Sequence, residues 1–172
     1  MEIITGGAES ADEILALLDG AVAWLVSLGR TGQWGDQPWS GRPAAAERIR
    51  EYARDHLVRL AVDDRGRTVG ACVLAEEVPR YVTPAAEREL YLRNLVTDRA
   101  RKGSGIGAAL VTDAVEEARR RGIALLRVDC YAGGDRRLVD QYVRLGFTPA
   151  EGFEVEMPGG EPWPGQVLEL RV

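Results

Sequence analysis

Glycines at alternate positions, 103, 105 and 107, separate an apolar run ending near Thr97 from a stretch of helical periodicity beginning near Gly105. In that stretch Ile106, Leu110, Val111, Ala114, Val115 and Ala118 share one face, Glu116, Glu117, Arg119 and Arg120 lie opposite, and Gly122 closes the pattern. Leu90 to Val96 before it and Ala124 to Cys130 after it read as strands, the second fully buried. Strand, helix and strand in this order predict one β–α–β crossover with a parallel pair at its centre. The alternate glycines let the backbone approach a ligand closely, and the unpaired N–H groups and dipole of the helix start suit phosphate oxygens. Arg101 and Lys102 add positive charge at the rim. The same glycines also serve a bare strand-to-helix turn, so the neighbouring elements must decide.

Those elements are legible on both sides. Ser10-Ala11-Asp12-Glu13 reads as a capping box, with a helix from Ala11 to Ser27 carrying Ile14, Leu15, Leu17, Leu18, Ala21, Val22, Leu25 and Val26 at helical spacing. Leu28 to Pro43 is loop chemistry rich in Gly, Pro and Trp, and a second helix runs from about Pro43 to His56. Val58 to Val62 and Thr68 to Glu76 form a hairpin around Asp63-Asp64-Arg65-Gly66-Arg67. Arg136 to Leu145 is a short helix stopped by Gly146, and Phe153 to Met157 and Val167 to Val172 are a last strand pair. The fold class is therefore α/β (α+β), with a mixed, mostly antiparallel sheet of about six to seven strands, one central crossover and about four helices, in a single domain over residues 1–172.

Composition narrows the function classes. A content of 45% hydrophobic and 28% charged residues is that of a packed globular chain. The 22 basic and 27 acidic residues give a formal net charge of −5, which argues against a nucleic-acid partner. Lys102 is the single lysine among the basic residues. Cys72 and Cys130 each sit inside an apolar run and read as reduced, buried strand residues, and no metal ligand set is expected. No apolar stretch approaches a membrane span and the N-terminus lacks a leader pattern, so the expectation is a cytoplasmic protein with no membrane partner.

The run Lys102-Gly103-Ser104-Gly105-Ile106-Gly107 resembles the acetyl-CoA pyrophosphate loop of the GNAT superfamily of N-acetyltransferases, whose pattern is Arg or Gln, two of any residue, Gly, any residue, then Gly or Ala. Lys102 departs from the Arg or Gln. Further on, Tyr142-Val143-Arg144-Leu145-Gly146-Phe147 resembles the Tyr-x-x-x-Gly-Phe signature that closes the family's second cofactor-binding helix. The likeness implies acetyl-CoA as co-substrate, with Lys102, Gly103, Ser104, Gly105, Ile106, Gly107 and Ala108 around its pyrophosphate. It also implies main-chain contacts from Leu95, Val96 and Thr97 to the pantetheine arm, where the family's strand splays from its parallel neighbour. Asp135 stands where many relatives have a cofactor-facing Asn. A carboxylate lacks the amide's donor, and capping the helix at Arg136 is its alternative role.

The resemblance further implies direct transfer of acetyl to a primary amine of a small molecule or peptide in a ternary complex. That chemistry needs a neutral amine, a polarised thioester carbonyl and a proton for the departing thiolate. Tyr142 suits the last task, because a phenol with a pKa near ~10 is protonated at neutral pH; its alternative is packing behind Phe147. Glu89, Tyr91 and Arg93 alternate with Leu90 and Leu92, so a polar strand face could look into a substrate cleft, with Glu89 as base or as a solvated strand end. His56, the only histidine, reads as a helix-end residue. Trp34, Trp39 and Tyr91 are the substrate-binding candidates, Asp36, Gln37, Glu76, Glu77, Tyr81, Glu161 and Trp163 lie in the same regions, and covering the core or a homodimer surface is the alternative for each tryptophan.

Two rivals differ in class. A GNAT-like module could bind acyl-CoA and sense it without catalysis, a reading that the departures at Lys102 and Asp135 keep open. A dinucleotide-binding oxidoreductase would use Gly103-x-Gly105-x-x-Ala108 with Asp129, but the motif comes late in a short chain with one crossover.

Overall fold

The computed structural model describes all 172 residues. Its elements are β1 (Glu2–Gly6), α1 (Ala11–Ser27), α2 (Pro43–Asp55), β2 (Leu57–Val62), β3 (Thr68–Ala75), β4 (Leu90–Thr97), α3 (Ile106–Arg120), β5 (Leu125–Tyr131), α4 (Arg137–Arg144), β6 (Thr148–Val155) and β7 (Trp163–Arg171), with short 3-10 turns at Ala8–Ser10 and Arg99–Arg101. The strands form a mixed sheet in the order β1-β2-β3-β4-β5-β7-β6. No helix is long and apolar enough to cross a membrane. The chain divides into two compact units, Met1–Leu74 with Asn94–Asp113, and Ala75–Arg93 with Ala114–Val172.

In the first unit β1, β2 and β3 are antiparallel neighbours. The apolar faces of α1 and α2 bring Ile14, Leu18 and Ile49 onto Val58, Leu60, Ala71, Val73 and Val96. The β2–β3 turn is knotted by Asp63, whose carboxylate accepts the backbone N–H of Arg65 at 2.9 Å and of Arg67 at 3.0 Å. α3 lies so close to β3 that a Cβ on Gly70 would stand 2.6 Å from Ile106 Cγ2, so the start of α3 rests on a position without a side chain. Ser10 does not cap α1 as the sequence suggests. Its hydroxyl accepts the Gly7 N–H at 3.2 Å within the preceding 3-10 turn, while Glu13 accepts the hydroxyl of Thr68.

In the second unit β5 pairs with β7 from Leu125↔Arg171 to Tyr131↔Gly165, and β7 pairs with β6, both antiparallel. β4 runs parallel to β5 through Leu90↔Leu126, Tyr91↔Arg127 and Leu92↔Val128, and Arg93 to Thr97 continue beyond that ladder. α4 packs on β5 and β6. The last two strands begin earlier than their sequence pattern indicates, at Thr148 and Trp163. β6 is the outer strand and its first five residues are exposed, so they carry no apolar alternation. Pro164 and Gly165 near the start of β7 mimic a loop, as residues at a strand's first positions often do.

Candidate functional site

The glycine loop lies in the first unit. Asp98 receives the Ala100 N–H at 2.9 Å and so starts the 3-10 turn Arg99–Arg101, which delivers the chain to Lys102. Gly103 and Gly105 then take φ of +84° and +80°, a conformation costly for any other residue. The space where their Cβ atoms would stand is open to 4 Å, and at Gly107 only Thr97 Cγ2, at 3.9 Å, comes near. Ser104 Oγ donates to the Arg101 carbonyl at 2.6 Å, and the first helical bond runs from the Ala109 N–H to the Gly105 carbonyl at 2.9 Å. The N–H groups of Ile106, Gly107 and Ala108 therefore precede the intrahelical ladder and point toward the loop. A concave run of N–H groups over side-chain-free backbone fits a pyrophosphate.

The rim charges divide their work. Arg101 is held 2.5 Å from Asp63, whose carboxyl lies well below the usual carboxylate range because the Arg67 and Arg65 N–H groups and the Arg67 guanidinium all favour its ionised form. Arg101 is thus a tether between the β2–β3 turn and the loop. Lys102 is exposed, with its Nζ 5.6 Å from the centre of the Trp24 ring, on which Arg99 also stacks at 3.9 Å. Trp24 escaped the sequence reading because it falls off the apolar face of α1. Beyond the β4–β5 ladder, Leu95, Val96 and Thr97 continue the strand, and the buried Oδ1 of the adjacent Asn94 has no donor. An unsatisfied acceptor just past the ladder suits an amide N–H, the donor that a pantetheine arm carries.

Trp34 and Trp39 meet edge to face at 5.9 Å and pack on the α1–α2 core. Arg42 lies 5.2 Å from the Trp39 ring and donates to the Trp34 carbonyl at 3.3 Å. Their loop is pinned by Asp19, which accepts both the N–H and the hydroxyl of Ser40. Asp36 and Gln37 are exposed. His56 follows the last turn of α2 and lies 5.7 Å from Tyr52.

The remaining candidates lie in the second unit. Tyr142 on α4 is buried, and its ring meets Phe147 edge on at 5.6 Å. Gly146, at φ +97°, lets the chain reverse so that the Phe147 N–H bonds the Tyr142 carbonyl at 3.1 Å. Asp135 accepts the Arg137 N–H at 3.2 Å and pairs with that residue's guanidinium, so its carboxylate fastens the start of α4.

The polar face of β4 differs most from expectation. Glu89, Tyr91 and Arg93 do share a side, but residues 76–89 roof it rather than leaving a cleft. Glu89 is only 5% exposed, accepts the Ala85 N–H at 2.7 Å and pairs with Arg127 at 2.9 Å. Arg127, itself buried, also bonds the Thr83 carbonyl and Glu151. Glu89 is therefore neither an open base nor a solvated strand end. Tyr91 has no exposed surface with which to touch a substrate; it is enclosed by Val82 and Val167 and donates to Asp129 Oδ1 at 2.7 Å. Arg93 donates to the Glu77 carbonyl at 3.0 Å.

Cys72 and Cys130 are buried and unbonded, with desolvation raising both thiols, that of Cys130 to about 12, so neither is a ready nucleophile.

Solved structures sharing this fold include a ribosomal-protein-alanine N-acetyltransferase from Brucella melitensis, at 18% identity and TM-score 0.67, covering 100% of both chains. An N-acetyltransferase from Staphylococcus aureus aligns at 17% identity and TM-score 0.67, over 99% of this chain and 97% of that one. A Salmonella typhimurium protein solved with its cofactor acetyl-CoA aligns at 17% identity and TM-score 0.65, over 99% and 92%. No curated protein sequence gives a match. Residues 27–147, from the end of α1 through the glycine loop to Phe147, match the acetyltransferase (GNAT) family, and the chain belongs to that family, which uses acetyl-CoA as co-substrate.

Proposed function

We propose that this acetyltransferase passes the acetyl group of acetyl-CoA directly to a primary amine of a small molecule or peptide, with no acyl-enzyme stage. The observation that carries the reading is the loop at Gly103 and Gly105, whose left-handed turns leave open backbone beneath the first N–H groups of α3. Acetyl-CoA supplies an activated acyl group and a thiolate that needs a proton on leaving. In this reading the loop from Gly103 to Ala108 holds the pyrophosphate through the N–H groups of Ile106, Gly107 and Ala108, Leu95 to Thr97 align the pantetheine arm, and Tyr142 furnishes the proton. Trp34 and Trp39, fixed by the core behind them, offer ring surface to a cationic acceptor.

Thermal unfolding tests the cofactor. A ligand that binds only the native state raises its stability by mass action, by about 2.7 kcal/mol at 100 times the dissociation constant. Saturating acetyl-CoA is expected to raise the midpoint, whereas NAD(H) is expected to leave it unchanged. No shift with acetyl-CoA would count against the reading, and a shift with NAD(H) alone would replace it by a dinucleotide enzyme. A thiol-release screen over primary amines then separates an enzyme from a non-catalytic CoA sensor.

Gly105→Val probes the loop itself. A β-branched residue is penalised at φ +80° and fills the open space with methyl groups. The expected result in calorimetry is a loss of acetyl-CoA affinity of about tenfold or more. Unchanged affinity in a folded variant would exclude this loop as the pyrophosphate site.

A further inference from the structure

We propose that Asp129 is the proton acceptor for the incoming amine and that Tyr91 positions it. The proposal rests on the amine acetyltransferase reading above and assigns one step of it. Asp129 is the first residue of β5 past the last rung of the parallel β4–β5 ladder. Ligands of open α/β sheets bind outside the carboxyl ends of parallel strands. The Asp129 carboxylate receives the Tyr91 hydroxyl at 2.7 Å on Oδ1 and faces the Tyr81 hydroxyl at 3.5 Å on Oδ2. A carboxylate has about four acceptor positions, so donors remain to be added. Tyr81, half-exposed, stacks on Phe153 at 5.2 Å, and Phe153 lies 6.2 Å from Trp163, so the carboxylate borders an aromatic surface suited to an ammonium group.

Two neighbours on this face explain why Asp129, and not Glu89, suits the task. Glu89 is closed in by Arg127 and the Ala85 N–H. Asp129 is only partly buried, and the charged or titratable groups around it are Tyr91 and Arg93 of β4, Tyr81 of the covering segment and Cys130 beside it, while β7 opposes it with Val167. Burial raises its carboxyl above the ordinary range despite the opposing pull of Tyr91, Tyr81 and Arg93. A base is most effective when its pKa approaches the working pH. Burial and the Asp129 charge push the Tyr91 phenol far up, so it remains a donor throughout.

In the step itself, the ammonium gives one proton to the Asp129 carboxylate, which later passes it to solvent. The freed lone pair forms the C–N bond as the C–S bond breaks. The nitrogen sheds a second proton while the thiolate takes one up, so amide, thiol and one proton result.

The test uses the full chain with acetyl-CoA and four probes: tyramine, phenethylamine, spermidine and a glycyl peptide. Asp129→Asn is expected to lower kcat about 10–100-fold near pH ~7, with acetyl-CoA affinity in calorimetry retained. The deficit should shrink as pH rises toward the amine's own pKa, where solvent supplies free amine. Tyr91→Phe removes a bond that favours the ionised carboxylate, so the acid limb of kcat/KM should move up by about one pH unit. Wild-type kcat in Asp129→Asn, a deficit equal at every pH, or an unmoved limb in Tyr91→Phe would overturn the assignment while leaving the acetyltransferase reading intact. If Asp129→Asn does not fold, Tyr91→Phe alone decides. A wild-type protein that binds acetyl-CoA and acetylates none of the four amines would overturn both readings together.

Discussion

Tyr142→Phe is expected to lower kcat by about 10²–10⁴-fold, the range lost with a positioned general acid, while acetyl-CoA affinity stays within about twofold. The substitution removes only the hydroxyl. The ring contact with Phe147 at 5.6 Å and the backbone bonds that end α4 do not depend on that oxygen. A thiolate leaving without a proton donor must instead wait for water, and that penalty falls on the chemical step rather than on binding. Steady-state thiol release and calorimetry on the same preparation separate the two. Undiminished kcat would return Tyr142 to a packing role behind Phe147.

How far the sequence could be read depended on whether a feature is local. The helix from Ala11 to Ser27 and the β–α–β core were legible because their apolar residues repeat at 3.6 or as a continuous buried run. The glycine loop was legible because its spacing is confined to a few neighbouring positions. By contrast, the alternation at Glu89, Tyr91 and Arg93 correctly indicated a shared face but said nothing of what covers it. That cover comes from Val78, Val82, Thr83 and Ala85, in a segment without periodicity, and from Arg127 on another strand. A charged residue inside an otherwise apolar strand, as Arg127 is between Leu126 and Val128, was the available signal of a buried partner. Asp129 was visible only as a distance from a glycine motif, since its pairing with Tyr91 spans 38 positions. Ser10 shows the same limit at short range: a capping pattern was present, yet the residues before it formed their own turn and took its hydroxyl.

Arg127→Met should destabilise the fold by about 3–5 kcal/mol, because it leaves Glu89 as a buried carboxylate without its counter-charge. At roughly 2–4 °C per kcal/mol for a chain of this size, the midpoint should fall by about 6–20 °C. The Ala85 N–H still reaches Glu89, but one neutral donor does not replace a guanidinium. Met fills much of the stem volume of Arg, so the loss reports charge rather than a cavity. The double replacement Glu89→Met with Arg127→Met should recover much of the deficit, since well-packed apolar residues often match or exceed a buried ion pair. Glu89→Gln separates structure from chemistry. A lowered midpoint with kcat per folded molecule retained places Glu89 in the ion pair alone. An unchanged midpoint with a kcat loss of about 100-fold would make Glu89 the base after all, and would do so at the expense of Asp129.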